Sequence, residues 1–317
     1  MFMDSLRERI GSFLGLSLPC APSEVELLSQ VEGSGFSRKL VQYESGDGET
    51  IPAFLFVPSE SLRGAVLALH QHNSQWEIGK SEVAGVAGDS LQAFGPALAS
   101  QGIMVLAPDS VGFESRMKAS DGGMSLAPRL DKPYSSAEGW LQYYNEMTHR
   151  LVTGDLLMRK VLCDCAQALS ALQSCSGLSR VGVMGHSFGG IAALFLAALD
   201  TRVAFACTSG AVCSYRQKLV SGTGLEMSLV IPGFVQHFDM DDVLRCVAPR
   251  RIFVVSSESD PQTADANEVV SRARSTFKEQ HCESHLEHLR VPGPHALDQR
   301  RAEAMVEWMI AAAVSPG

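Results

Sequence analysis

The chain has 317 residues, a formal charge of −9 and 45% hydrophobic residues with no repetitive tract, which suits one large α/β domain with a sizeable core and argues against disorder. Its 26 Lys and Arg are scattered among 35 Asp and Glu, which argues against nucleic acid and against an anionic membrane as partners. The eight cysteines are diluted in apolar runs and lack paired C-x-x-C spacing, so they read as reduced thiols of a cytoplasmic protein, with neither a disulfide scaffold nor a zinc site expected.

The first apolar stretch, Ile10-Gly-Ser-Phe-Leu-Gly-Leu-Ser-Leu-Pro-Cys20, is short, broken and preceded by Asp4 and Glu8 as well as Arg7 and Arg9. It reads as an amphipathic helix rather than an export signal, making residues 1–35 a helical extension to a domain spanning 36–317. No window approaches the ~18 apolar residues of a membrane span. Phe36 to Glu44 and Thr50 to Val57 flank Ser45-Gly46-Asp47-Gly48 and predict an antiparallel hairpin at one sheet edge. The apolar strand Gly64 to Leu69 runs into His70-Gln71-His72-Asn73. Helical spacing follows at Leu91 to Leu98, then a second buried strand at Ile103 to Ala107. Strand, helix, strand with continuous apolar strands is the pattern of a mostly parallel sheet covered by helices on both faces.

Residues 110–148 are polar, Gly-rich and aromatic, too long for an ordinary connection, and read as an active-site rim; Trp140, Tyr143 and Tyr144 are candidates for its substrate-facing wall. Leu151, Met158, Leu162, Cys165, Leu169 and Leu172 form one helical stripe. Arg180 to Met184 and Arg202 to Cys207 are further strands, with the helical run Ile191 to Ala198 between them. Residues 208–249 form a second rim insertion. Strands at Arg251 to Ser256 and His285 to Val291 alternate with helices at Thr263 to Glu279 and Leu297 to Ala313.

The chemistry centres on Gly185-His186-Ser187-Phe188-Gly189. A strand that reverses into a helix within one or two residues strains its apex and needs small residues two positions to either side, and this G-x-S-x-G meets that need. A serine hydroxyl needs a base, and the base an acid, each at the end of a later strand. Asp260, followed by Pro261, fills the acid position, with Glu258 and Asp265 as fallbacks; His295, in Pro292-Gly-Pro-His295, fills the base position. The oxyanion donors are expected at the backbone N–H of Phe188 and at that of His72, with Gln71 as the alternative to His72. His186 reads as a packing residue. Gly79-Lys80-Ser81 resembles the end of a phosphate loop but lacks the upstream glycine, Ser74 standing in its place, so nucleotide binding is not expected.

These residues resemble the α/β-hydrolase superfamily and, within it, the dienelactone hydrolase and acetylxylan esterase-like group. The narrower likeness rests on His70-Gln-His-Asn73, Val105-Leu-Ala-Pro-Asp109 leading to Gly112-Phe-Glu-Ser-Arg116, Ile231-Pro-Gly233 with Asp239, and Ala248-Pro-Arg250. The resemblance implies ester hydrolysis through an acyl-serine, without metal or organic cofactor. Dienelactone hydrolases proper carry a cysteine where this chain has Ser187, so lactone specificity does not carry over. Carbohydrate esterases of the group are often secreted, and with no signal read here a xylan substrate is not expected. The expected partner is a small-molecule ester or thioester, with association into a homo-oligomer left open. The rival readings are an acyltransferase, cyclase or thioesterase using the same triad, and a non-catalytic binding protein on the same fold.

Overall fold

Successive side chains of a strand point to opposite faces, so a strand that is apolar at every position needs a helical layer on each side. The computed structural model, which describes residues 2–18, 24–118 and 136–315, has that architecture. Its strands are β1 (Glu26–Glu32), β2 (Phe36–Glu44), β3 (Thr50–Pro58), β4 (Gly64–Leu69), β5 (Ile103–Pro108), β6 (Val181–His186), β7 (Val203–Ser209), β8 (Arg251–Ser257) and β9 (Leu286–Val291). They form one sheet in the order β1-β2-β3-β5-β4-β6-β7-β8-β9. Pairing is antiparallel from β1 through β3 to β5 and parallel from there on.

The helices are α1 (Phe2–Phe13), α2 (Lys80–Val83), α3 (Phe94–Ala99), α4 (Ser136–Val152), α5 (Leu157–Ser176), α6 (Phe188–Leu199), α7 (Tyr215–Ser221), α8 (Phe234–His237), α9 (Met240–Arg245), α10 (Ala266–Glu279) and α11 (Gln299–Val314). On one face of the sheet, Ala65, Leu67 and Leu69 of β4 join residues of α1, α5, α6, α9 and α10; on the other, Val66 and Ala68 join α3 and α11. No helix among the described residues is long and apolar enough to cross a membrane.

Three expectations change. Residues 1–35 are not simply a helical extension, because Glu26–Glu32 is the outermost strand of the sheet, paired antiparallel with β2. The α1 helix is also part of the main core: its Leu6 and Ile10, and Leu14 just beyond it, are buried, and Arg7 donates to the carbonyls of Ala198 (3.0 Å) and Cys246 (2.9 Å). The stripe beginning at Leu151 is split between two helices. Gly154 takes a left-handed φ of 79°, and Asp155 beyond it pairs with Arg150 (2.9 Å) and Arg159 (3.0 Å). Finally, Trp140, Tyr143 and Tyr144 of the first rim insertion lie on α4 rather than in a loop. Residues 119–135 of that insertion lie outside the described residues.

Candidate active site

The ends of β6, β8 and β9 converge at one point of the sheet rim. Ser187 joins β6 to α6 with φ 55° and ψ −122°, a backbone conformation that side-chain-bearing residues rarely adopt. The flanking glycines permit it. A β-carbon on Gly185 would lie 2.3 Å from the carbonyl carbon of Gly189, and one on Gly189 would lie 2.2 Å from the Leu69 oxygen. The Ser187 N–H is tied to the Ser209 carbonyl at 2.8 Å.

Ser187 Oγ lies 2.7 Å from His295 Nε2, and His295 Nδ1 lies 2.9 Å from Asp260 Oδ2. With the Nδ1–H donated to the carboxylate, Nε2 is left to accept from the serine hydroxyl. Asp260 also caps the short turn Pro261–Thr263, its Oδ1 accepting from the Gln262 N–H at 2.8 Å. Asp260 thus serves as turn cap and as histidine partner at once, one oxygen each. Burial of Asp260 opposes its charge, but the hydrogen bond and positive character of His295, with the Gln262 N–H, outweigh it and hold the carboxyl below its ordinary value. The fallback acids are elsewhere: Glu258 is exposed, and Asp265 accepts from the N–H (2.9 Å) and hydroxyl (2.6 Å) of Ser214.

His186 is fully buried beneath this group, its ring centroid 5.1 Å from that of His295 and its Nδ1 3.0 Å from Ser209 Oγ. Burial, then the neighbouring His295 and Arg301, lowers its pKa to about 3, so it packs as a neutral ring. Gly210, at φ 64°, gives both rings room, since a β-carbon there would meet His186 Cε1 at 2.7 Å and His295 Cε1 at 3.1 Å.

On the opposite side the chain leaves β4 through His70-Gln71-His72. His70 Nδ1 contacts the Gln71 carbonyl (2.8 Å) and its Nε2 accepts from the Ser110 N–H (3.1 Å). The Gln71 side-chain amide donates to Glu82 (2.8 Å). The backbone N–H of His72 has no acceptor among the described residues, and that of Phe188 opens a helix and so has no acceptor within it.

Below this loop lies a buried ion cluster. Lys80 Nζ reaches Asp109 Oδ2 (2.7 Å), Glu114 Oε1 (2.5 Å) and Ser115 Oγ (2.6 Å), with no side-chain exposure at the lysine or either acid. Glu114 Oε2 accepts from the N–H groups of Gly79 and Ser81, both at 2.9 Å. The segment that imitates a phosphate loop in sequence therefore wraps a carboxylate supplied by the chain itself.

A cleft of about 450 Å³ opens over Ser187 and His295, walled in part by His72, Trp140, Glu226 and Gln262. Of the three aromatic candidates, Trp140 lines it. Tyr144, one helical turn on, stacks against Trp140 with centroids 4.9 Å apart. Tyr143, about 100° further round α4 than the intervening Gln142, is fully buried behind the wall and donates to Glu226 at 3.0 Å. Its role is to support the wall, through its ring packing and its hydrogen bond to Glu226.

Sequence reasoning missed Arg301, the largest fully buried side chain among the described residues. It donates to Asp298 (2.7 Å), to Ser257 Oγ (2.5 Å), to the His295 carbonyl (3.4 Å) and to the Ala296 carbonyl, cross-linking the loops that carry Asp260 and His295. Only the N-cap pattern of Asp298 before an apolar helix signals this region in the sequence. Also missed was Lys218, buried on α7 and donating to Gln262 Oε1; burial lowers its pKa, against attraction from groups that include Asp260 and Glu226.

No protein-family model matches the chain. It is 29% identical over 212 residues to YtaP of Bacillus subtilis (strain 168), provisionally described as a hydrolase; the match covers 64% of this chain and 62% of that protein's length. Among solved structures it is similar to a provisionally described acetyl xylan esterase of Bacteroides fragilis (TM-score 0.70, 14% identity, 91% of this chain and 74% of that one). It is also similar to a glucuronoyl esterase of Solibacter usitatus (TM-score 0.67, 16% identity, 98% and 92%). With the sheet order above, these likenesses establish the α/β-hydrolase fold.

Proposed function

We propose that this protein is a serine hydrolase that cleaves a carboxylic ester of a small or medium-sized substrate through an acyl-serine intermediate. The observation that carries the reading is the unbroken Ser187–His295–Asp260 hydrogen-bond chain, 2.7 Å and 2.9 Å, at the floor of an open cleft. His295 takes the Ser187 proton as Oγ attacks the substrate carbonyl, and Asp260 stabilises the imidazolium. The negative oxygen is received by the N–H groups of Phe188 and His72. His295 then protonates the departing alcohol, and a water molecule, deprotonated in turn by His295, releases the acid. Esterases among the solved structures of like fold, and a relative described as a hydrolase, support the reaction class. The seven described cysteines are all free, which supports a reducing, cytoplasmic setting.

A fluorophosphonate probe and p-nitrophenyl acetate and butyrate test the reading together. The expected result is stoichiometric labelling and turnover in the wild type, with turnover falling at least about a thousandfold in Ser187→Ala and His295→Ala. Folded wild-type protein that neither labels nor turns over would overturn it; labelling with turnover only when a nucleophilic acceptor is added would favour acyl transfer instead.

A further inference from the structure

We infer that the imidazole of His72, and not its backbone N–H alone, donates a hydrogen bond to the carbonyl oxygen of the substrate at Ser187, as a third member of the oxyanion site. This rests on the ester-hydrolase reading above and adds a catalytic residue to it.

The tautomer is set by the chain itself. Asn73 and Ser74 take left-handed φ values of 42° and 55°, hooking the backbone so that the Ser74 N–H points back at His72 Nδ1, 3.0 Å away. A neutral imidazole carries one proton, and with Nδ1 accepting, that proton sits on Nε2. The ring is also fixed in place by edge contacts with Trp76 (4.8 Å, 82°) and Phe113 (5.5 Å) and by a tilted contact with Tyr143 (5.5 Å between centroids). Burial and the neighbouring His70 lower its pKa to about 4, so near neutral pH it is a donor without net charge.

Comparison with the two buried histidines isolates His72. Both nitrogens of His70 are engaged, with the Gln71 carbonyl and the Ser110 N–H. His186 Nε2 is sealed from solvent. His72 Nε2 has no acceptor among the described residues and is not sealed, and the residue lines the same cleft as Ser187 and His295. The approach of Gly189 to the carbonyl oxygens of Leu69 and His70 brings the first turn of α6 against this loop. Donors at residue 72 and at Phe188 therefore border one spot. A rigid neutral N–H at that spot meets charge as it develops, with no reorganisation at the moment of reaction.

His72→Phe keeps an aromatic ring and removes the donor, and His72→Gln returns an amide N–H near the Nε2 position. For p-nitrophenyl acetate, His72→Phe is expected to lower kcat about a hundredfold with KM within about threefold, and His72→Gln to recover about tenfold. Nitrogen NMR of the histidine-labelled wild type should show the His72 proton on Nε2, with its resonance moving downfield when fluorophosphonate modifies Ser187. A His72→Phe kcat within about threefold of an active wild type overturns the inference and leaves the esterase reading intact. So does a His72 proton found on Nδ1, a result that stands even if His72→Phe folds poorly. A wild type inert to both probe and ester overturns the two together.

Discussion

Beneath the His70–Asn73 loop the protein buries a full ion cluster, Lys80 with Asp109 and Glu114, whereas beneath the loops of Asp260 and His295 it buries one guanidinium, Arg301, most of whose acceptors are neutral. The one carboxylate that Arg301 meets, on Asp298, is 41% exposed. The difference lies in what each support leaves behind when it is cut. Removing Lys80 strands two buried carboxylates, which is a problem of charge; removing Arg301 leaves neutral acceptors short of a donor, which is a problem of alignment. The first side should fail by unfolding and the second by losing rate.

The sharpest way to break that contrast is Lys80→Met. It should lower the unfolding free energy by about 3–5 kcal/mol, with most of the loss recovered when Asp109→Asn and Glu114→Gln are added. Urea titration of the wild type and the two variants reads this, and an unrecovered triple variant would mean that packing, not charge, supports the loop. Next in size is Arg301→Met, expected to cut kcat on the order of a hundredfold while leaving KM nearly unchanged, with Arg301→Lys in between. Equal losses of stability at Lys80 and Arg301 would erase the distinction between the two sides.

A smaller effect per residue is shared by both. His70 on one side and His186 on the other are buried, and burial lowers their pKa values from 6.5 to about 4 and about 3. The folded chain keeps both rings neutral while the unfolded chain takes up protons below 6.5, so stability is lost as pH falls through that value and the loss levels off only near the folded values. At pH 5 each ring should cost about 2 kcal/mol relative to pH 7. Urea titrations at the two pH values check this, and His186→Phe should remove about 2 kcal/mol of the difference between pH 7 and pH 5. A pH dependence unchanged in that variant would show that the histidines do not set it.

The side whose side chains the structure brings together as the sequence suggests is the one whose signals are local. Gly185 and Gly189 announce the strained turn, Pro261 announces where a strand stops and a capped turn starts, and His295 follows a strand through Pro-Gly-Pro. The opposite side depends on residues that sequence habit assigns to the surface. Lys80, Asp109 and Glu114 look like ordinary solvated charges, and only the parallel β4 and β5, joined through α2, bring them together. The β1 strand was hidden for a related reason: Glu26–Glu32 is mostly exposed, so it lacks the apolar alternation that marks a half-buried strand. The helix break at Gly154 was masked because the apolar stripe continues in phase on its far side.

The backbone of Ser187 has a consequence for how this sequence can change over time. At φ 55° and ψ −122° the position suits glycine better than any residue bearing a β-carbon, serine and alanine included. Ser187→Gly should therefore melt at a higher temperature than Ser187→Ala, by the equivalent of about 1 kcal/mol, and paired thermal melts would show it. If no such gap appears, the turn carries no stored strain. If it does, a population kept only for thermal endurance would drift to glycine at this site first, so a serine surviving there in any descendant is itself a record that the hydroxyl was in use.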